Sequence, residues 1–228
     1  MTGVDAPARR TQAERRASTR AALVRATVEC LVELGYARTT TQEVQSRAGV
    51  SRGALTHHFT TKADLMLAAV DHLYEEFSAS VRQAAAQLPG ESAVRVRLGV
   101  ELVWERFHGP LFVAAMELWT AARTDPELRA ALLPYERRLG QQLRQLTAEV
   151  FGWTAGTPSS EAAFLVLATS MRGQAMTYAL QPDAPRDGPH VQHWQAVVEA
   201  LGVPAEAGRL RGWRSSARAS EGSAPPSG

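Results

Sequence analysis

The sequence predicts an all-α protein in which a three-helix amino-terminal domain is joined by a long helix to a second helical domain. Three observations predict this fold class. Apolar residues recur at steps of three and four along most of the chain, and hydroxyl or acidic caps precede these segments while glycine and proline follow them. No stretch of alternating apolar and polar residues is long enough to predict a β-strand. With 228 residues, 45% of them hydrophobic and 21% charged, the chain has the composition and length to bury a core.

Composition also excludes several classes of protein. The single cysteine, Cys30, excludes an intramolecular disulfide framework and any multi-cysteine metal site. No apolar run approaches the roughly 18 residues of a membrane span. The basic amino-terminal segment has no hydrophobic run behind it, which is unlike a secretory signal. We therefore expect a cytoplasmic protein with no membrane association, no cofactor and no metal.

Charge is distributed unevenly along the chain. Residues 1–65 hold ten basic side chains and six acidic ones, whereas the remainder holds fifteen and seventeen. A cationic segment 1–65 and a near-neutral remainder indicate that only the amino-terminal part binds a polyanion.

Four helices are predicted in the front half. Thr11 and Glu14 have the spacing of a capping box, and Gly35 ends the helix that they begin. Its apolar stripe consists of Ala17, Ala21, Val24, Val28, Leu31 and Leu34. A second capping box, Thr40 to Glu43, begins a short helix. A third helix starts at Ser51, and Thr61 and Asp64 begin a long fourth helix that Pro89 and Gly90 end.

Five more helices are predicted in the rear half. They span 91–108, 110–123, 127–151, 160–180 and 190–201, and Pro134 predicts either a kink in the third of them or a later start. We accordingly divide the chain into a flexible basic amino terminus (1–14), a first helical domain (15–75), a second helical domain (76–202) and a disordered tail (203–228).

The segment 41–59 has the pattern of a helix-turn-helix. Gly49 permits the positive φ of the tight turn, and Val44, Val50 and Leu55 are placed to pack between the two helices. With Ser51 as its cap, the third helix begins with free backbone N–H groups and the positive end of its dipole, which suit a phosphate. The small side chains next to Arg52 let that helix approach base edges. The alternative is a helix pair packed for structural reasons alone.

Residues 39–65, TTTQEVQSRAGVSRGALTHHFTTKADL, resemble the DNA-binding domain of TetR-type transcriptional regulators, including the segment H-F-x-x-K-x-x-L at residues 58–65. The resemblance covers about residues 15–80 and implies a dimeric repressor that leaves double-stranded operator DNA when a small molecule binds. It makes 15–75 the helix-turn-helix DNA-binding domain and 76–202 the effector-binding and dimerisation domain. It implies phosphate contacts from Thr40, Thr41 and Lys62. It implies a groove-facing set of Ser51, Arg52, Gly53, Ala54, Thr56, His57 and His58. Thr56 and Gln45 depart from the family, which usually has tyrosine and a small residue there.

The rear domain offers candidate effector and dimer residues. Candidate pocket walls are Trp104, Phe107, Phe112, Met116 and Trp119, and candidate polar anchors are His108, Glu117 and Arg172. The same side chains suit an ordinary core. Small residues along 160–180 predict that this helix and 190–201 form a two-fold interface.

Two alternatives stay open at this point. One is a DNA-binding regulator that acts through protein partners and senses no small molecule. The other is a helical enzyme, for which we find no G-x-S-x-G, G-x-x-x-x-G-K or H-E-x-x-H motif. A metal site at His57 and His58 is disfavoured because adjacent helical residues point about 100° apart.

Overall fold

A computed structural model describes residues 11–90, 92–181 and 188–202. These residues form nine helices and no strand, which confirms the predicted all-α class. The helices are α1 (Gln12–Arg38), α2 (Thr41–Ala48), α3 (Arg52–His58), α4 (Lys62–Ala85), α5 (Ser92–Arg106), α6 (Pro110–Ala122), α7 (Pro126–Phe151), α8 (Pro158–Tyr178) and α9 (Pro189–Gly202). The predicted disordered tail and most of the predicted flexible amino terminus lie outside the described residues. No helix in the described ranges is both long and apolar enough to cross a bilayer.

The helix starts follow the predicted caps, with two corrections. Thr11 and Thr61 each form a reciprocal capping box with the acid three residues later. Thr40 accepts from the Glu43 backbone N–H at 3.1 Å, but the box is half formed because the Glu43 carboxylate binds Arg47 instead. The helix predicted over 160–180 begins earlier, since Thr157 caps it and Pro158 occupies its first turn.

Pro134 lies inside α7, which is helical from Pro126 onward. The alternative of a late start is therefore wrong. Proline lacks the N–H that residue 134 would give to the Ala130 carbonyl, so the helix passes this position with one backbone hydrogen bond fewer.

The described residues divide into two compact units. The first comprises 11–87 and 102–147, and the second comprises the described parts of 88–101 and 148–202. The first unit therefore includes α6 and most of α7 as well as α1 to α4. The predicted boundary between a DNA-binding domain and an effector domain, at residues 75 and 76, stays a prediction.

The first unit has one continuous apolar core. Fully buried side chains come from α1, α4 and α6, and the predicted helix-turn-helix residues Val44 and Leu55 join them at 0% and 4% exposure. Cys30 is also buried, as its place on the α1 stripe predicts, and burial raises the pKa of its thiol. Because Val44 of α2 and Leu55 of α3 are both held in this core, it fixes the angle between the two helices.

In the second unit α8 packs against α9. Its inward side chains are Ser160, Ala163, Leu167, Met171 and Ala175. Trp194 and Val198 of α9 are buried as well. Gly99 of α5 lies so close to Phe151 that a Cβ at this position would be 2.8 Å from the Phe151 ring, which explains the need for glycine here.

Candidate DNA-binding interface

The turn between α2 and α3 has the geometry that the sequence predicts. Gly49 ends α2 with φ +64°, and its N–H donates to the carbonyl oxygens of Gln45 and Ser46. Ser51 then caps α3 by accepting from the Ala54 N–H at 3.2 Å. The turn is thus closed by local hydrogen bonds, and the core below it holds Leu55.

One side of α3 remains outside the core. Ser51, Arg52, Gly53, Thr56 and His57 are exposed, and Ala54 and His58 are half-buried. Thr40 and Thr41 are exposed at the start of α2. The structure therefore brings the predicted groove-facing residues together on one accessible face, next to the predicted phosphate contacts of α2.

Two members of this face have features that the sequence did not show. The Thr56 hydroxyl donates to its own helix, at 3.1 Å from the Arg52 carbonyl, so its proton is engaged in the free protein. The pKa of His58 is lowered by burial and by the positive charges of His57, Arg16 and Arg20. His58 is therefore disposed to be neutral in the free protein.

Lys62 is placed differently from its predicted role as a phosphate contact. Its ammonium group donates to the Tyr36 carbonyl at 3.0 Å and lies 3.9 Å from the centre of the Tyr36 ring. Burial lowers its pKa. A phosphate contact would have to use the remaining N–H donors, and it stays a prediction.

Tyr36 is the centre of a polar cluster that sequence reasoning missed. Its backbone N–H donates to Glu117 of α6 at 2.7 Å, and its hydroxyl donates to Asp125 at 3.0 Å. Asp125 also caps α7 by accepting from the Leu128 N–H. Burial and the bond to Asp125 raise the pKa of Tyr36 to about 12. The end of α1 is thereby tied to α4, α6 and α7.

Gly35 allows this cluster to form. Its φ is +74°, and a Cβ on it would lie 2.7 Å from the Glu117 carboxylate. A side chain at this position would be both strained and in collision with Glu117. Gly35 was predicted to end the first helix; its backbone does leave the helical conformation, but α1 continues past it to Arg38. The local sequence signalled the turn, but nothing local signalled its partner 81 positions away.

A second network supports α2 from α1. Arg47 donates to Glu33 at 2.6 Å and to Glu43 at 3.1 Å, and these bonds raise the pKa of Arg47. The basic residue nearest the turn therefore serves internal ion pairs and is not part of the exposed set on α3.

The predicted effector residues fall into different surroundings. Trp104 and Phe112 are buried, and Phe107, His108, Met116 and Trp119 are half-buried. Trp104, Phe107, His108 and Phe112 form a connected ring cluster, with centroids 4.5–6.4 Å apart. His108 Nδ1 donates to the Trp104 carbonyl at 3.2 Å. Glu117 already accepts from Tyr36, which makes it a poor candidate for a ligand anchor.

Arg172 lies on α8, in the second unit, and is exposed. The outward side of α8 carries large apolar side chains around it, Leu165 at 58% exposure and Met176 at 50%, with Leu180 at 85% just after the helix; the exposed Thr169 and Ser170 lie among them. A Cβ on Gly173 would meet nothing within 4 Å. This outward side is the surface that the small-residue pattern predicts as a dimer interface.

Comparisons with known proteins agree with this description. Residues 23–69 match the family described as bacterial regulatory proteins, tetR family. The HTH-type transcriptional regulator CymR of Pseudomonas putida is 40% identical over 126 residues, which are 55% of this chain and 62% of CymR. The chain spans 62–63% of the length of the first curated relatives that it matches.

Solved structures match over more of the chain. A TetR-family member from Streptomyces coelicolor A3 is 26% identical with a TM-score of 0.58, over 80% of this chain and 97% of that one. A TetR transcription regulator from Haloarcula marismortui is 20% identical with a TM-score of 0.60, over 81% and 98%, and supports the fold alone. On its helix-turn-helix and these matches, the segment of residues 23–69 is a domain of the tetR family of bacterial regulatory proteins.

Proposed function

We propose that the protein is a homodimeric transcriptional repressor that binds a palindromic DNA operator and leaves it when a small molecule binds. The observation that carries the DNA-binding part is the exposed face of α3. Leu55 anchors the helix in the core, while Arg52, Gly53 and His57 stay accessible. Arginine reads guanine in the major groove, and a neighbouring glycine lets the backbone approach the bases.

The dimer part is supported by the outward side of α8. Large apolar side chains on a helix surface favour a protein partner, and small residues between them permit a close helix approach. A second copy of the chain offers the same surface, so two-fold pairing of α8 and α9 buries it symmetrically as a four-helix bundle.

An inverted-repeat operator follows from this symmetry. Half-sites related by a two-fold axis would lie about 34–36 Å apart, or a multiple of that distance. Selection from a random DNA pool by the full-length protein is expected to enrich such repeats. Footprinting on the DNA beside its own gene then locates the natural operator. Enrichment of asymmetric sequences, or binding that does not weaken with salt, would contradict the proposal.

Effector release is supported by two groups of residues in the first unit. One is the aromatic cluster around Trp104, and the other is the Tyr36 cluster, which ties α6 and α7 to the end of α1 and to α4. A molecule that shifts α6 can thereby affect the amino-terminal helices. A hundredfold preference for the DNA-free state corresponds to about 2.7 kcal/mol per site.

Thermodynamic linkage supplies the test of release. Operator DNA must weaken effector binding by the same factor by which the effector weakens DNA binding. Calorimetric titration with and without operator measures both factors. Equal affinities in both titrations would favour the second candidate, a regulator that acts through protein partners.

A further inference from the structure

Thr56 lies on the exposed side of α3, one helical turn after Arg52. Side chains three or four residues apart are neighbours on one face of a helix, with Cβ atoms about 5–6 Å apart. Thr56 therefore shares the surface that Arg52 and Gly53 present, whereas the adjacent Leu55 is buried in the core. The regulators that this segment resembles usually have tyrosine here. Threonine replaces that long polar side chain with a hydroxyl and a methyl group on one carbon atom.

The Thr56 hydroxyl is held by its own helix. It donates to the preceding turn, where it lies 3.1 Å from the Arg52 carbonyl oxygen and 3.2 Å from that of Gly53. Threonine commonly forms such bonds within a helix. The γ-methyl group is then the part of this exposed side chain that makes no hydrogen bond, so its favourable partner is another apolar group.

The major groove offers one apolar group on its base edges, the C5 methyl of thymine, and a threonine methyl group is among its usual contacts. A side chain as short as threonine reaches this methyl only if the helix backbone comes close to the bases. Gly53 permits that approach because it adds no side chain to the same face. A Cβ on Gly53 would meet no atom of the described residues within 4 Å, so packing inside the protein does not require glycine there.

We propose that Thr56 reads a thymine in each operator half-site by contact between its methyl group and the C5 methyl of the base. This inference rests on the proposed function, because it needs α3 in the major groove of an operator. Arg52 and Thr56 are about 6 Å apart along the helix, and successive bases of a strand are about 3.4 Å apart. We therefore expect the thymine within about two base pairs of the position that Arg52 reads.

Deoxyuridine tests the contact, because uracil pairs with adenine as thymine does and lacks only the C5 methyl. The probes are operator duplexes from the selection experiment, in which each thymine is replaced in turn at both half-sites. Titrations with the full-length protein measure their affinities. At one position we expect binding to weaken about fourfold per half-site, and so about 15-fold for the pair, the effect of one methyl group removed from an apolar contact.

Two substitutions separate the methyl group of Thr56 from its hydroxyl. Thr56→Ser keeps the hydroxyl, and it is expected to weaken binding by the same factor and to abolish the deoxyuridine effect at that position. Thr56→Val keeps a methyl group, and it is expected to retain both the affinity and the deoxyuridine effect. Thr19→Ser is the matched control on α1, where the Thr19 hydroxyl bonds to the carbonyl four residues earlier at 2.9 Å. This control is expected to leave the deoxyuridine effect unchanged.

The outcomes distinguish this inference from the proposed function. A protein that selects no DNA sequence would overturn both. Selective binding in which Thr56→Ser changes the response at no thymine would overturn the thymine contact alone. Weak binding by Thr56→Val with normal binding by Thr56→Ser would assign the hydroxyl to the DNA, and it would also overturn the thymine contact. Circular dichroism of each variant checks that the helices are intact.

Discussion

The outward sides of α3 and α8 differ in chemistry although both belong to helices that bury their other side. On α3 the exposed residues are polar, charged or small, with Arg52 and His57 beside Gly53. On α8 they include the large apolar Leu165 and Met176, with Leu180 just beyond the helix end, beside Gly173 and a single charged residue, Arg172. A polyanion suits the first surface, and an apolar helix suits the second. If the proposed function holds, the side chains outside the core, and not the helical backbone, set the class of partner.

The largest expected effect comes from a charge on the apolar surface. Leu165→Arg is expected to give monomers, because association would bury an unpaired guanidinium. Operator affinity is expected to fall by about 100-fold or more, since two half-sites would no longer be bound together. Leu133→Arg, at a leucine of similar exposure on α7, is the control and is expected to stay dimeric. Sedimentation measures both variants, and a dimeric Leu165→Arg protein would place the interface on other helices.

Arg52→Ala tests the polar surface. It is expected to weaken operator binding by about 1–3 kcal/mol, the range for a bidentate base contact, and to relax the preference for one base pair. Arg129→Ala removes the same charge from an exposed position of α7 and serves as the control. DNA titrations compare the two. Equal losses in both variants would mean that Arg52 contributes only its charge.

Lys62→Ala separates a DNA contact from an internal one. Loss of a phosphate contact is expected to weaken binding to all sequences alike and to reduce the salt slope by about one. Loss of the hydrogen bond to Tyr36 is expected to lower the free energy of unfolding by about 1 kcal/mol. Salt titrations and denaturant unfolding measure the two effects independently. An unchanged slope with reduced stability would assign Lys62 to the Tyr36 cluster alone.

Two glycines allow a matched comparison of the surfaces. Gly53 and Gly173 are helical, and a Cβ on either would meet nothing within 4 Å. Alanine at each is expected to raise stability by up to about 1 kcal/mol, because glycine is a poor helix former. Gly53→Ala is expected to weaken DNA binding severalfold and leave the dimer intact, whereas Gly173→Ala is expected to weaken the dimer and to lower operator affinity only through that loss. If both substitutions are silent in binding, neither glycine is needed for a close approach.

The smallest expected effect is a pH dependence. The pKa of His58 is lowered in the free protein, and nearby phosphates would raise it, so binding is expected to take up a proton. Operator affinity should therefore rise a few-fold as the pH falls from about 8 to about 6. His58→Gln is expected to flatten this profile. His72→Gln, at the histidine paired with Glu76 on α4, should leave it unchanged.

Local signals in the sequence predicted the structure best. Thr11, Thr61 and Ser51 cap the helices that they were predicted to begin, and Gly49 forms the predicted turn. Each of these interactions spans three or four residues, so its partners can be read from adjacent letters. The half-formed box at Thr40 shows the limit. Whether Glu43 turned back to the cap or forward to Arg47 was decided by competition between two available partners.

Sequence by itself therefore determined the all-α class, most helix boundaries and the face of α3 that stays exposed. Tertiary structure decided the partners of Lys62, Glu117 and Tyr36. Tyr36 and Glu117 are 81 positions apart, and their hydrogen bond exists only because α1 and α6 pack on one core. Periodicity predicts which side of a helix is buried, but not which helix covers it. A polar side chain on a half-buried helix can therefore be recognised from sequence, while its partner is fixed only by the packing of distant segments.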